Sequence, residues 1–175
     1  MKKGFIQIYT GSGKGKTTSA LGLVCRASGH NFKICYVYFH KNPKKFGYGE
    51  INTLKKLKVD VFGFAKEHPH FNKKINIETI KNECNKAVEF IKEIYKENKY
   101  DILVLDEILI SVRDGFLPEN KLIELMKRKP ENLELIITGR NASKKIIDLA
   151  DLVSEINEIK HPYKKGIKSR KGIEF

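Results

Sequence analysis

Apolar positions along this chain fall into short runs with two different periods. Phe5–Thr10 alternates apolar and polar residues, the period-two pattern of a strand. Ala20, Leu21, Leu23, Val24 and Ala27 follow at helical spacing, which predicts a helix from about Lys16 to Ser28, with Gly29 as its stop. Lys33–Phe39 is nearly continuous in β-branched, aromatic and other apolar residues and reads as a buried strand. His40–Gly49 reads as a basic loop, residues 51–57 as a short helix, Val59–Phe64 as a third strand and Ala65–Asn76 as an irregular loop. Asn76 is a natural N-cap for a long helix, because Ile80, Cys84, Ala87, Val88, Ile91 and Ile94 recur three and four apart. Ile102–Leu105 is a buried strand ending in Asp106-Glu107, and a helical stretch runs from Ile108 to Arg113. Pro118 suits the first turn of a helix extending to about Lys129. Leu135–Thr138 is the next buried strand, Ser143–Leu149 a short helix, Leu152–Ile159 the last strand, and His161–Phe175 a basic tail.

Strands alternating with helices imply βαβ units and a mostly parallel sheet, an α/β three-layer sandwich expected to form one domain over residues 1–175. Ligands of such sheets lie beyond the carboxyl ends of the strands. Three polar clusters fall there: the stretch after strand one, Asp106-Glu107, and Gly139-Arg140.

The first cluster is Gly11-Ser12-Gly13-Lys14-Gly15-Lys16-Thr17-Thr18, set between a strand and a helix. That is the context of a phosphate-binding loop. Glycines let successive N–H groups face an anion, and the helix N-terminus adds its own N–H groups and dipole. Lys16 would reach phosphate oxygens and the Thr17 hydroxyl would meet Mg²⁺. The full pattern has glycine where this chain has Thr10. With such a loop about ninety residues upstream, Asp106 and Glu107 read as the carboxylates that serve the metal. Arg140 at a strand exit suits a phosphate, and Arg26 in the first helix is a candidate for the same ligand.

Charge changes this picture little. The net charge of +13 allows an anionic partner, but lysine is spread over the whole chain and reads as a solvated surface rather than a nucleic-acid interface. Cys25, Cys35 and Cys84 are scattered through apolar-periodic runs and read as small buried residues of a reducing compartment. No apolar run is long enough for a membrane helix, and the chain enters its first strand without a signal-peptide pattern. A cytoplasmic protein is expected. His68 and His70 with Glu67 have the residue types of a metal site but, with Pro69 between them and no matching cluster, read as a loop. No Ser/His/Asp set or paired-carboxylate arrangement stands out, so the chemistry would rest on positioning more than on proton transfer.

Four segments together resemble the P-loop type of ATP:corrinoid adenosyltransferase. They are Tyr9–Thr18; Leu103–Glu107; Ile136–Arg140 with Leu149–Val153; and Lys160-His161-Pro162 with Gly172-Ile173-Glu174-Phe175. Thr10 at the head of the loop is the family's own version of it. The resemblance implies that Co(I) of a reduced corrinoid attacks the 5′ carbon of ATP and releases tripolyphosphate, in adenosylcobalamin biosynthesis or salvage. It implies ATP as co-substrate, bound in reverse of the usual P-loop orientation, and Mg²⁺. Gly11, Ser12, Gly13, Lys14, Gly15, Lys16, Thr17 and Thr18 would bind phosphates, Thr17 with Asp106 or Glu107 the metal. Lys16, Thr17 and Glu107 would be catalytic. Arg26, Lys41, Phe64 and Arg140 would be further site residues. A homodimer and a reduced flavoprotein electron donor are family expectations.

The middle of the chain departs from the family. Gly63-Phe64-Ala65-Lys66-Glu67 stands where Gly-Phe-Thr-Trp-Glu is usual near the corrinoid, and Tyr38-Phe39-His40-Lys41-Asn42 where Gln-Phe-Ile-Lys-Gly is usual. Phe64 reads equally as a core residue. The alternative function is a P-loop ATPase or nucleotide kinase of another class, acting with nucleic acid.

Overall fold

The computed structural model of the chain describes residues 3–70 and 72–174. Six strands form one parallel sheet: β1 (Ile6–Thr10), β2 (Ile34–Phe39), β3 (Asp60–Phe64), β4 (Ile102–Asp106), β5 (Glu134–Thr138) and β6 (Leu152–Glu155), in the order β3-β2-β4-β5-β1-β6. The helices are α1 (Lys16–Ser28), α2 (Pro43–Phe46), α3 (Gly49–Lys56), α4 (Ile77–Glu97), α5 (Ile108–Arg113), α6 (Glu119–Lys127) and α7 (Lys144–Ile147), followed by a 3₁₀ turn at Pro162–Lys165.

Strand alternation divides the core into two layers. Tyr36, Val104 and Ile136 pack with Ala20, Val24, Ile51 and Leu54, so α1 and α3 cover one face. Val37, Leu105 and Ile137 pack with Ile80, Cys84, Leu122 and Ile146, so α4, α6 and α7 cover the other. The central strands β2, β4 and β5 are buried at every position because both faces are covered. The edge strand β6 is mostly exposed.

Asn76 caps α4 by accepting from the Glu78 N–H, and Glu–Lys pairs three apart line its outer face. Lys81, Lys86, Lys92 and Lys96 are thus paired locally, in exposed pairs that stabilise little.

The structure corrects several boundaries. Pro118 is the N-cap of α6, and that helix ends at Lys127, since Pro130 disfavours helical geometry at the residue before it. The Lys129 ammonium instead donates to the carbonyls of Gly4, Pro130 and Leu133. β6 stops at Glu155 because its partner β1 stops at Thr10; the Ile156 carbonyl then accepts from Gly13 N. The supposed loop His40–Gly49 contains the single turn α2, capped by Asn42, and the start of α3. Cys35 and Cys84 are buried, and burial pushes the Cys35 thiol up to about 12. Cys25 is exposed, because it lies on the outer face of α1 beside buried Val24.

Candidate functional site

The carboxyl ends of β1, β4 and β5 bring the three polar clusters to one edge of the sheet. The stretch after β1 has to turn sharply into α1. Gly11 has φ +99°, and a Cβ there would lie 2.4 Å from the Ile156 carbonyl oxygen, so only glycine fits. Thr10 is buried, and its hydroxyl accepts from Ala142 N, which fastens the loop to the segment after β5. Ser12 Oγ accepts from Glu158 N. Gly15 opens α1 without a side-chain cap and with no acid in the first turn, which leaves the helix N-terminus to an anion.

Lys16 is buried and donates to the Gly13 carbonyl at 2.6 Å, so the loop holds its ammonium over the loop's own concavity. Burial pushes its pKa down, Glu107 pulls it up, and Arg140 pushes it down again. Thr17 Oγ1 donates to Asp106 Oδ1 at 2.8 Å, and Thr138 Oγ1 donates to the same oxygen at 2.8 Å. Asp106 Oδ2 faces the Lys41 ammonium at 2.7 Å, and Lys41 also donates to Glu50 at 3.2 Å. Burial would raise the Asp106 pKa; Lys41, Thr138 and Thr17 together hold it below the usual carboxylate range. Lys41 is held above its ordinary value, the Asp106 charge outweighing burial.

Glu107 adopts φ +66°, and its N–H donates to Thr138 Oγ1 at 2.9 Å. Its carboxylate therefore diverges from that of Asp106. Burial first, then the Asp106 charge, raise its pKa. Gly139, at φ +138°, allows β5 to turn against α5: a Cβ there would lie 2.6 Å from Leu109 Cβ.

Two cavities open on this edge. The larger, about 570 Å³, is lined by Gly13–Thr18, Leu21, Lys41, Tyr48, Glu107, Arg140, His161 and residues 169 and 172–174. The second, about 470 Å³, is lined by Phe39, His40, His68, His70, Ile110 and Arg113. Lys41, Tyr48, Glu107 and Arg140 line both.

The structure thus brings together Gly13, Lys14, Gly15, Lys16, Thr17, Thr18, Lys41, Glu107 and Arg140. Gly11, Ser12 and Asp106 support the same loop from beneath. Two expected site residues lie elsewhere. Arg26 is in the last turn of α1, exposed, and borders neither cavity, since the helix axis carries it away from the loop. Phe64 is partly buried and packs against the core, its ring 6.4 Å from Phe39 and 5.5 Å from Phe90. Lys66 is exposed, and Glu67 accepts from Asn42 and Asn72, which ties Glu67 to the N-cap of α2. His68 is 2.7 Å from Asp114.

Sequence reasoning missed Thr138, hidden in what reads as one more buried strand residue, and His40. Buried His40 bonds Ser111 Oγ at 2.8 Å and stacks edge-on with His68 at 5.2 Å. A polar residue closing an otherwise apolar strand was the available signal for both. It also missed Tyr48 and the approach of the tail to Lys14.

The chain is similar to proteins of known fold and family. The solved structure of a KaiC-like protein, PH0186 from Pyrococcus horikoshii OT3, superposes with a TM-score of 0.60 at 17% identity, covering 89% of this chain and 73% of that one. That likeness concerns the fold, a P-loop NTPase-like α/β sandwich. The corrinoid adenosyltransferase of Escherichia coli K12 is 32% identical over 99% of this chain and 87% of its own length. Corrinoid adenosyltransferase CobA of Salmonella typhimurium LT2 is 34% identical with the same coverage. The family model ATP:corrinoid adenosyltransferase BtuR/CobO/CobP matches residues 2–175, and the chain belongs to that family.

Proposed function

We propose that this protein, as one domain, transfers the 5′-deoxyadenosyl group of ATP to Co(I) of a reduced corrinoid and releases tripolyphosphate. The observation that carries this reading is the junction of the two cavities at Lys41, Tyr48, Glu107 and Arg140. One cavity has the phosphate loop as its floor. The other, roofed by His40, His68 and Ile110, is a place for the second substrate. ATP with its triphosphate in the loop would direct its nucleoside end toward the junction.

The cobalt nucleophile supplies the electron pair of the new cobalt–carbon bond, the C5′–O5′ bond breaks, and its pair leaves with tripolyphosphate. No proton has to move in that step. Lys14, Lys16 and Arg140 bind the leaving group and stabilise the charge that grows on it. Depression of the Lys16 pKa by burial reverses once a polyanion lies beside it.

The donor set suits Mg²⁺. The Thr17 proton points at Asp106, which leaves the hydroxyl lone pairs free to ligate, and Glu107 borders the same cavity. Asp106 has both oxygens engaged by Thr17, Thr138 and Lys41, so it orients Thr17 while Glu107 is the protein carboxylate for the ion. The ion would supply Lewis-acid stabilisation of the polyphosphate. A homodimer, a reduced flavoprotein donor and a cytoplasmic setting belong to the same proposal on family grounds. Among the described residues no helix is long and apolar enough to cross a membrane. Anaerobic mixing with ATP, Mg²⁺ and chemically reduced corrinoid, followed through the cobalt spectrum, tests the reading. An alkylcobalt spectrum is expected; persistence of the Co(I) spectrum with every corrinoid tried would refute it.

A further inference from the structure

The C-terminal segment folds back across the mouth of the phosphate loop. Lys14 is the one loop lysine that points outward, and its ammonium is 2.9 Å from Glu174 Oε1 and 3.2 Å from the Ile173 carbonyl oxygen. The same Glu174 carboxylate accepts three bonds from Arg170: from its backbone N–H at 2.7 Å, from Nε at 3.2 Å and from Nη2 at 3.0 Å. One carboxylate thus joins Arg170, four residues before it, to Lys14, 160 residues away in the chain. The cations beside it hold its carboxyl down at about 2, Arg170 first and Lys14 after it, so it is anionic at any working pH.

The placement is unusual for its charge. Glu174 lines the same cavity as Lys16, Thr17 and Gly15, where a polyanion is expected to lie. The segment around it, from Lys160 to Lys171, carries Lys164, Lys165, Lys168 and Arg170 and no acid. Glu158, a second acid near the tail, is 2.6 Å from Lys164, and Glu107 lines the cavity from the β4 side. Arg170 lines a third cavity that meets the first at Lys14, His161, Ser169 and Glu174. A carboxylate offers a phosphate-like acceptor pair to both an ammonium and a guanidinium, and a phosphate oxygen competes with it for both.

We propose that Glu174 is a resident stand-in for phosphate, which an incoming polyphosphate displaces from Lys14 and Arg170, and that Arg170 is thereby an additional phosphate-binding residue. The proposal rests on the polyphosphate reading of the loop and not on the corrinoid. In this arrangement the tail holds the cations in place before ligand arrives and competes with the polyphosphate for them afterwards. It therefore weakens retention of a released polyphosphate product.

The test is isothermal titration of the full chain with tripolyphosphate and Mg²⁺, with no corrinoid present. E174Q removes the competing charge and is expected to tighten binding about threefold, the scale of an exposed ion pair. E174D, which keeps the charge, stays within about twofold of the original chain on the same scale. R170Q loses a charge-assisted donor and is expected to weaken binding about fivefold, while R170K recovers part of the loss. Unchanged or weaker binding by E174Q, or unchanged binding by R170Q, overturns the proposal while leaving the phosphate loop intact. Absence of tripolyphosphate binding by the unaltered chain overturns the loop assignment, and this proposal with it.

Discussion

The Lys41 ammonium lies 2.7 Å from Oδ2 of Asp106, a carboxylate with no solvent exposure at the carboxyl end of β4. Burial alone would raise the carboxyl and lower the amine; each instead stabilises the other's charged form. Lys41→Met would leave that carboxylate buried without its cation. We expect a loss of about 3–5 kcal/mol in urea unfolding at neutral pH. The Asp106 contribution is present above its unfolded value of 3.8 and is lost as pH falls through its lower folded value. The Lys41 contribution is present below 10.5 and is lost as pH rises through its higher folded value.

The division of labour between the two carboxylates separates by experiment. Glu107→Gln should raise the Mg²⁺ concentration needed for half-maximal turnover and lower turnover about 10²-fold, in the range of one lost electrostatic stabiliser, with little change in thermal midpoint. Asp106→Asn should lower the midpoint as well, because Thr17, Thr138 and Lys41 all converge on it. Equal loss of stability in both variants would contradict the assignment.

Lys16→Ala should reduce turnover about 10²- to 10³-fold, the scale of removing one donor aimed at developing charge. Steady-state kinetics against ATP read it. Its present bond to the Gly13 carbonyl is internal to the loop, so the thermal midpoint should move little.

His40 gives the fold an acid-sensitive point. Burial first, then the neighbouring His68, depress its pKa from 6.5 to about 4. A depressed folded value means that stability is complete above 6.5 and declines as pH falls toward 4, because the unfolded chain takes up the proton first. The loss over that window should be about 3 kcal/mol in chemical denaturation. His40→Asn should flatten the pH dependence there. An unchanged slope would place the sensitivity elsewhere.

Much of this was legible in the residues. Continuous apolar runs at β2, β4 and β5 signalled strands covered on both faces, and the glycines between β1 and α1 signalled a sharp turn of the backbone there. The positions that escaped are those fixed by partners distant in sequence. Thr138 looks like a strand residue until its hydroxyl is seen to join Asp106 to the Glu107 N–H. Phe64 and Arg26 fit a site by motif and position, yet strand register packs one against the aromatic core and helix length carries the other away from the loop. The end of β6 depends on where β1 stops, which no local pattern in Leu152–Ile159 records.

In the proposed reaction the bond broken in ATP is C5′–O5′, and the phosphate loop holds the leaving group. The most direct measurement is the stoichiometry of phosphorus products during anaerobic turnover with reduced corrinoid, by ³¹P NMR alongside the cobalt spectrum. One intact tripolyphosphate for each adenosylated corrinoid is the expected result. ADP with inorganic phosphate, formed with or without corrinoid, would contradict it.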